Sequence, residues 1–359
     1  MGLLRHRPAI AKRSSILEHG RRDLESSLAS TVPSLIGLDI GGTKIACVEG
    51  TAGGDILQRL EIPTRARRPF EQTLPDILAL VRQQMAVAST AGREIVALSV
   101  SVGGPLRIEQ GVLHNPPHLP GWHNVRLKQR LSESMSGLPV YIEHDGNAGA
   151  LAEYHFGVGR GRTGIRHLIF LTFGTGLGAG FVLNGQILHG ASDTAGEVGH
   201  WRLSREGPDG FGKTGSWEGF ASGAGLVQLA QRMFPRRWGA DTPIRELVGA
   251  MLHNETDALS VAEAAGKRMG QGIALLVDAL NPQLIVLGSL AVALGDRVLG
   301  PARQVVAREA LPEAVAACEI VPAALGTRIG DVAALMAALT ALPVRRLMQD
   351  QDGKITSNR

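Results

Sequence analysis

A short pattern occurs twice in this chain: an apolar strand, a tight turn rich in glycine and threonine, and a second apolar strand. The first copy covers residues 35–48 and the second covers residues 168–183. Two apolar runs joined by a glycine turn predict a β-hairpin. A unit that recurs in both halves of a chain indicates two related halves. The turn residues are Gly41, Gly42, Thr43 and Lys44 in the first copy and Gly174, Thr175 and Gly176 in the second.

Outside these hairpins the pattern alternates strands with helices. Apolar residues recur at helical spacing in several segments, and short apolar runs between them predict buried strands. This alternation predicts an α/β fold. The predicted strands cover residues 95–102, 140–142 and 284–287, the last ending at Gly288, and the predicted helices cover residues 70–91, a segment running through Glu153, and residues 224–234, 258–280 and 329–342.

Length and composition limit what the chain can be. A chain of 359 residues is long enough for about two domains. No apolar run reaches the roughly 18–20 residues of a membrane span, so no membrane partner is expected. The two cysteines, Cys47 and Cys318, lie far apart in the sequence and indicate neither a disulfide framework nor a cysteine metal site. A reducing cytoplasm is therefore the expected location.

Residues 1–34 differ from the rest of the chain. They hold much of the excess positive charge behind the formal net charge of +4. A nucleic-acid-binding protein more often carries a basic stripe across its folded body, so no nucleic-acid partner is expected. Leu17, Leu24 and Leu28 fall at near-helical spacing, which leaves open either a short helix or a solvated extension.

The two glycine-threonine turns are candidates for binding phosphate. Such turns direct backbone N–H groups and hydroxyls toward one point, a geometry that suits phosphate oxygens. Two of them, one from each half, could hold the phosphates of one nucleotide. Asp39 precedes the first turn and could hold Mg²⁺ through water, because Mg²⁺ combines a few carboxylates with phosphate and water. Two ordinary hairpins are the alternative, but the repeat and the acidic residue favour phosphate binding.

Two other glycine patterns match known motifs only formally. Residues 207–214 fit the P-loop spelling, but the residues before them are mostly polar and those after them begin a helix poorly, which predicts a glycine-rich loop. Residues 174–179 loosely fit a dinucleotide fingerprint, which must open a helix. A strand and the turn at Asn184 and Gly185 follow instead, so this interpretation is rejected.

Asp145 is the main catalytic candidate. It follows a short strand, where a carboxylate could accept a proton from an attacking alcohol in phosphoryl transfer. Aspartate is equally suited to cap the helix that follows, and this segment alone leaves both interpretations open.

Other polar groups are weaker candidates. Glu197 and His200 lie three residues apart and would face one ligand on a helix, although a surface turn is locally favoured. His114, His118 and His123 could suggest a metal site, but their proline-rich spacing favours three loop histidines.

Four motifs occur in order along the chain: L-D-I-G-G-T-K at residues 38–44, E-H-D-G-N-A at 143–148, T-F-G-T-G-L-G at 172–178 and A-G-E-V-G-H at 195–200. Together they resemble the ROK family of repressors, open reading frames and kinases, over roughly residues 35–342. The resemblance implies an α/β, actin-like ATPase fold, with two ribonuclease-H-like lobes and a nucleotide cleft between them. Kinases of this family phosphorylate hexoses or N-acetylhexosamines with ATP and Mg²⁺ and commonly form dimers. A sugar substrate, ATP, Mg²⁺ and a homodimer are therefore implied here.

The resemblance also implies roles for individual residues. Asp145 falls at the position of the catalytic base, and Asp39 would hold Mg²⁺ through water. The implied sugar-binding residues are Asn115, His144, Glu197, His200 and Glu218. The implied nucleotide-binding residues are Asp39, Gly41, Gly42, Thr43, Lys44, Gly174, Thr175, Gly176 and Gly288.

The chain departs from the family pattern in two places. The family commonly has Asn before the catalytic Asp, where this chain has His144, which affects sugar preference. The family also commonly has a zinc loop, but its cysteine positions hold Asp209, Phe211 and Ser216 here. Zinc needs a closed set of Cys and His ligands, and His200 alone does not supply one. No structural zinc is expected.

The expected organisation has five parts. Residues 1–34 form an extension, 35–140 the N-terminal lobe, 141–328 the C-terminal lobe, and 343–359 a tail, while the helix at 329–342 packs back on the N-terminal lobe. The expected activity is ATP-dependent phosphorylation of a hexose or N-acetylhexosamine, glucokinase-like and at the 6-hydroxyl. The alternatives are a sugar-sensing transcriptional regulator of the same family and a non-catalytic sugar-binding protein.

Overall fold

The computed structural model describes residues 32–342. The helix considered around Leu17, Leu24 and Leu28 and the tail at 343–359 lie outside these residues. None of the helices within residues 32–342 is both long enough and apolar enough to cross a membrane.

Fifteen strands occur in this part of the chain. They are β1 (Val32–Ile40), β2 (Lys44–Gly50), β3 (Ile56–Pro63), β4 (Arg93–Val102), β5 (Leu106–Arg107), β6 (Val112–Leu113), β7 (Val125–Arg126), β8 (Val140–His144), β9 (Leu168–Leu171), β10 (Ala179–Leu183), β11 (Gln186–Ile187), β12 (Asp209–Gly210), β13 (Lys213–Thr214), β14 (Leu284–Leu287) and β15 (Glu319–Pro322).

Eleven α-helices are described. They are α1 (Phe70–Thr90), α2 (Leu127–Ser134), α3 (Asp145–His155), α4 (Trp217–Phe220), α5 (Gly223–Met233), α6 (Ile244–Leu252), α7 (Thr256–Leu280), α8 (Leu290–Leu294), α9 (Asp296–Glu309), α10 (Pro312–Ala316) and α11 (Ile329–Ala341). Short 3₁₀ turns occur at Val198–His200 and Gly326–Arg328.

Two five-stranded sheets have the same topology. The first sheet has the order β3-β2-β1-β4-β8 and the second has the order β11-β10-β9-β14-β15. In each sheet an antiparallel hairpin is followed by two parallel strands. The repeat predicted from the two hairpins is therefore confirmed, and so is the predicted α/β, actin-like fold class.

The burial of the central strands explains why the two hairpins could be predicted from the sequence. In β1, residues 34–38 are all buried, and all four residues of β9 are buried. Strands covered on both faces read as continuous apolar runs. Parallel pairing then brings the carboxyl ends of β1, β4 and β8 to one edge, and those of β9, β14 and β15 to another.

The first sheet extends further along the chain than the expected lobe boundary at residue 140. Strand β8 pairs with β4, and His144 lies opposite Val102. The sheet therefore ends at His144, and a boundary at residue 140 would cut its last strand.

Helix α11 returns from the end of the described chain to the first sheet. A Cβ at Gly37 of β1 would lie 2.9 Å from Ala334 Cβ. The backbone N–H of Ala338 donates to Ser99 Oγ in β4 over 3.2 Å. The buried residues of this contact are Leu35, Val48, Ala97, Ala334, Leu335, Ala338 and Leu342.

Candidate active site

Asp145 is the first residue of α3, directly after β8. The N-cap of α3 is His144, whose Nδ1 accepts the N–H of Gly146 over 3.2 Å. The capping role considered for Asp145 therefore belongs to its neighbour. Asp145 Oδ1 also accepts the Gly146 N–H over 2.7 Å, but Oδ2 has no hydrogen bond among residues 32–342. The side chain is 53% exposed, so one carboxylate oxygen is accessible to a ligand.

Asp39 is the penultimate residue of β1 and faces the first turn of α11, where a Cβ at Gly330 would lie 2.8 Å from Asp39 Oδ2. Burial and, less strongly, the nearby Asp145 and Asp331 carboxylates together raise the pKa of Asp39 to about 7. Lys44 and Arg59 act in the opposite direction. Asp331 is ion-paired with Arg59 over 3.0 Å, so Asp39 and Asp145 are the carboxylates of this group that remain for Mg²⁺, which prefers a few carboxylate oxygens together with phosphate and water.

The first glycine turn is closed by its own backbone. The Gly41 N–H donates to Lys44 O over 3.0 Å. Thr64 Oγ1 donates to Gly41 O over 2.6 Å, and the Thr64 N–H donates to Thr43 O over 3.0 Å. Thr64, the first residue after β3, therefore holds the turn through two hydrogen bonds, and the shape of the turn does not depend on a ligand.

The second glycine turn is fixed mainly by side chains. Gly178 N–H donates to Thr172 Oγ1 over 2.9 Å, and Leu177 N–H donates to Glu218 Oε2 over 2.9 Å. Within the turn, Gly174 N–H donates to Gly176 O over 3.0 Å. Glu218 thus supports the turn from a separate helix, α4.

Gly288 lies beside the second turn. Its N–H donates to Leu171 O over 2.9 Å, at the end of β9. A Cβ at Gly174 would lie 3.4 Å from Oγ of Ser289, the residue after Gly288. The structure therefore brings Gly288 to the predicted turn and adds Ser289, which has a positive φ of 44° and which sequence analysis did not identify.

Glu197, His200 and Glu218 come together on one side of the second turn. His200 Nε2 lies 3.9 Å from Glu197 Oε2, and both side chains are accessible, at 44% and 40%. Burial raises the pKa of Glu218, the Leu177 N–H opposes that, and the Glu197 charge raises it further. The segment is a single 3₁₀ turn rather than an α-helix. These groups offer hydrogen-bond donors and acceptors of the kind that sugar hydroxyls require.

Ala179 contacts both the segment that carries Glu197 and the start of the helix that carries Asp145. A Cβ at Gly146 would lie 2.9 Å from Ala179 O, and one at Gly196 would overlap the same oxygen. The Ala179 N–H donates to Gly196 O over 3.0 Å. The start of α3 and the residue before Glu197 therefore meet at the first residue of β10, and glycine is required at both contacts.

Asn115 lies in the loop between β6 and β7, with a positive φ of 52°. Its Oδ1 is 3.0 Å from Nδ1 of His123, and both residues are exposed. His114 pairs in the same way with Asn124, over 3.0 Å. The histidines of this loop do not converge, and the sugar-binding role of Asn115 stays a prediction.

Glu143 is a buried carboxylate that the sequence analysis did not identify as functional. Oε1 accepts the His144 N–H and Nδ2 of Asn147, each over 2.9 Å. Oε2 lies 2.9 Å from Nε2 of His189, whose pKa Glu143 raises through this hydrogen bond. The pair ties the strand before Asp145 to the loop after β11. Forty-six positions separate the two residues, so local spacing gave no signal.

Neither formal motif has the architecture that its name requires, a strand followed by a glycine loop that opens a helix. Residues 207–214 form a small hairpin, in which β12 pairs with β13. Ala179 begins a strand rather than a helix. Both rejections are confirmed.

The hairpin at 207–216 is held by polar and aromatic contacts. Thr214 Oγ1 donates to Asp209 Oδ1 over 2.6 Å, and Ser216 Oγ donates to Gly210 O over 3.1 Å. The Phe211 ring stacks on His200 with centroids 3.8 Å apart. Across the described residues, no three His, Cys, Asp or Glu side chains are grouped to hold a metal ion. The expected lack of zinc stays a prediction.

Comparison with known proteins identifies the family of the chain. Residues 35–341 match the model of the ROK family, so the chain belongs to the ROK family. It is 30% identical over 309 residues to a glucokinase of Halalkalibacterium halodurans, covering 83% of this chain and 92% of the relative. A xylose repressor of Caldicellulosiruptor bescii is 29% identical over 299 residues, covering 80% of this chain and 73% of the relative.

A solved structure agrees with these sequence relatives. It is a ROK family glucokinase from Streptomyces griseus in complex with glucose and AMPPNP, 28% identical, with a TM-score of 0.68. The match covers 85% of this chain and 98% of that protein. The fold is therefore that of the ROK sugar kinases.

Proposed function

We propose that this protein transfers a phosphoryl group from ATP to a hexose or an N-acetylhexosamine, at the 6-hydroxyl, with Asp145 as general base. One observation carries the proposal: Asp145, directly after β8, has an accessible carboxylate whose charge acts on Asp39, and the next residue, Gly146, packs against Ala179 of β10. Asp39 lies just before the first glycine turn and Ala179 follows the second, so Asp145 is linked to the surroundings of both turns. The glucokinase relatives support the same activity.

In this mechanism the phosphates of ATP lie on the two turns, Gly41–Lys44 and Gly174–Gly176. Asp145 Oδ2 accepts the proton of the sugar hydroxyl, whose oxygen bonds to the γ-phosphorus while the bond to ADP breaks. Catalysis then consists largely of positioning and charge stabilisation. A Mg²⁺ ion near Asp39 would neutralise phosphate charge. Gly288 would contact the adenosine.

The sugar ring would be held by Glu197, His200 and Glu218 on the side of the second turn. His144 would take the position next to the base, and Asn115 would contact the ring from its loop. The S. griseus glucokinase, solved in complex with glucose and AMPPNP, supports glucose as the first sugar to test and ATP as the donor. The proposal also includes that the protein is a homodimer and that it acts in the cytoplasm.

The test is a coupled assay of ADP release with Mg-ATP against a panel of hexoses and N-acetylhexosamines. We expect turnover that depends on one or two of these sugars. A control without sugar measures ATP hydrolysis alone. The protein must be folded and must bind a sugar, as calorimetry measures. If such protein releases no ADP with any sugar of the panel, the result contradicts the kinase proposal or the choice of donor.

A second candidate is a sugar-sensing transcriptional regulator. The xylose repressor relative supports it, because its identity to this chain is close to that of the glucokinase. A gel-shift at physiological salt separates the two, since non-specific DNA binding weakens steeply with salt. Sugar-sensitive DNA binding without turnover would favour the regulator. Sugar binding with neither property would favour a non-catalytic sugar-binding protein.

A further inference from the structure

His189 links the second sheet to the strand that precedes Asp145. It follows β11, the edge strand of the second sheet, and its Nε2 lies 2.9 Å from Oε2 of Glu143 in β8. The Glu143 side chain is only 7% exposed. Among residues 32–342, its Oε2 has no other hydrogen-bond partner. Without His189 a buried carboxylate oxygen would lack a partner, and a buried charge without a partner is strongly unfavourable.

The other oxygen of Glu143 binds groups on both sides of Asp145. Oε1 accepts the N–H of His144, the residue before Asp145, and Nδ2 of Asn147, two residues after it, each over 2.9 Å. Asn147 is almost fully buried and lies in the first turn of α3. Because one carboxylate binds both groups, a rotation of Glu143 would move the backbone that flanks the proposed base.

The loop that carries His189 is fixed at two further points. The Ala195 N–H donates to His189 O over 3.0 Å, which closes the loop. Asp193 Oδ2 accepts the N–H of Ile108, between β5 and β6, over 3.2 Å. The loop continues directly into the segment that carries Glu197. His189 is therefore held by its surroundings, between the segment of Glu197 and the first half of the chain.

The contact between His189 and Glu143 is charge-assisted. The hydrogen bond to Glu143 raises the pKa of His189, burial opposes this, and the charges of Glu143 and Asp193 raise it further. The imidazole therefore keeps its proton to a higher pH than these groups would allow by burial alone. Hydrogen bonds between charged partners are shorter and stronger than neutral ones, so this pair holds Glu143 in one orientation.

We propose that His189 is a positioning residue for the proposed base, because it fixes Glu143, which in turn fixes the backbone on both sides of Asp145. The proposal rests on the proposed function. It gives the pair a role in the reaction beyond stability, since a hydrogen bond from the second sheet sets the position of Asp145. A displacement of about 1 Å at a reacting group can lower a rate about 100-fold, so a contact outside the site can control kcat.

The test compares variants at two half-buried histidines. His189→Leu removes the donor, and His189→Gln restores an N–H near the Nε2 position without a charge. His167→Leu is the matched control. The His167 ring accepts the Asn184 N–H over 3.4 Å and lies just before β9, at the opposite end of that strand from the second turn.

We expect kcat for sugar phosphorylation, measured by ADP release, to fall about 10–100-fold in His189→Leu. The sugar Kd from calorimetry and the KM for ATP should stay within about threefold, because neither ligand contacts His189 in the proposed mechanism. His189→Gln should recover most of kcat, and His167→Leu should match wild type. If His189→Leu does not fold, as its melting temperature shows, His189→Asn replaces it, because the shorter amide does not reach Glu143 Oε2.

Three outcomes overturn the inference. Wild-type kcat in the folded His189→Leu or His189→Asn protein would show that the contact does not position the base. A sugar Kd and a KM for ATP that rise as kcat falls, without recovery in His189→Gln, would indicate a general structural role. Wild-type protein that turns over none of the sugars would remove the proposed function as well, which distinguishes this failure from the first two.

Discussion

The two sheets share one topology, yet their carboxyl edges differ in chemistry. Asp39 stands two residues before Gly41 in the first sheet, and Thr172 stands two residues before Gly174 in the second. Asp39 has a pKa of about 7 because of burial and neighbouring carboxylates. Thr172 is neutral and accepts a backbone hydrogen bond over 2.9 Å from Gly178.

The difference extends along both edges. The first edge adds His144 and Asp145 at the end of β8, while the second adds only Gly288 and Ser289 after β14. The same backbone repeat can therefore serve two purposes. In the proposed mechanism the first edge supplies the base and the metal site, and the second edge supplies backbone contacts to the phosphates.

Replacing the proposed base tests the first edge most severely. Asp145→Asn keeps the size of the side chain and removes the proton acceptor. We expect kcat to fall by about 10²–10⁴-fold, the usual contribution of a general base. Sugar affinity measured by calorimetry should stay close to wild type. A folded Asp145→Asn protein with near-normal kcat would sink the assignment.

Replacing Asp39 tests whether the ionised Asp39 carboxylate destabilises the folded protein. The pKa of Asp39 is raised in the folded protein, so the folded state binds a proton more tightly than the unfolded state does. Stability therefore falls as pH rises from about 4 to about 7. We expect Asp39→Asn to remove this penalty and to stabilise the ligand-free protein by about 1–3 kcal/mol above pH 7, allowing for its partial exposure.

The measurement is the melting temperature from pH 4 to pH 8 in a metal chelator. The gain over wild type should grow with pH and be smallest near pH 4. Thr172→Val at the equivalent position of the second edge is the control, and its effect should not depend on pH. A gain that is flat with pH would refute the charge explanation.

Adding a methyl group in the second turn tests whether this turn binds the phosphates of ATP. A Cβ at Gly176 would lie 2.8 Å from Glu218 Oε2, so Gly176→Ala should displace the carboxylate that binds Leu177 N–H. We expect the KM for ATP to rise about fivefold, the loss of about one hydrogen bond, with a smaller change in kcat. Gly174→Ala, whose Cβ would lie 3.4 Å from Ser289 Oγ, is the milder matched control. Equal effects of the two variants would contradict this account.

The smallest expected effect concerns the hairpin beside the second turn. Because hydrogen bonds and the Phe211–His200 stack hold it, a chelator should leave the melting temperature unchanged. Phe211→Ala removes the stack and should destabilise the protein by about 0.5–1.5 kcal/mol, which shows that the measurement can detect changes there. A fall in melting temperature with chelator, reversed by zinc, would disprove the metal-free interpretation.

The fold was readable where local patterns and packing agree. The glycine turns lie between continuous apolar strands, and β1 and β9 are buried at the centres of their sheets. Helices α1, α5, α7 and α11 matched their predicted ranges within about two residues. Strand β3 was missed although its alternating polar and apolar residues are the pattern of a half-buried strand at a sheet edge. Helix α9 was missed although its buried residues follow a helical period, since it contains Pro301 and many charges.

The candidate site was only partly readable. Motifs placed Asp145 and the turns, but no local pattern could show which of three loop histidines turns inward. His118 is distinguished by contacts with Gly42 and Gly103, which are distant in sequence. The pairing of Glu143 with His189 is likewise set by tertiary structure. The spacing of residues in a sequence indicates whether a segment is a helix or a strand. These contacts depend instead on how helices, strands and loops pack together in the tertiary structure.

The return of α11 to the first sheet has a consequence for synthesis on the ribosome. The sheet is complete in sequence at His144, but the helix that covers Leu35, Val48 and Ala97 comes last in the described chain. At 5–20 residues per second, the roughly 200 residues in between take about 10–40 s to translate. Throughout that interval an apolar sheet face lacks its cover. The nascent chain therefore presents a prolonged target for chaperones, and a premature stop before Ile329 would leave this face of the first sheet uncovered.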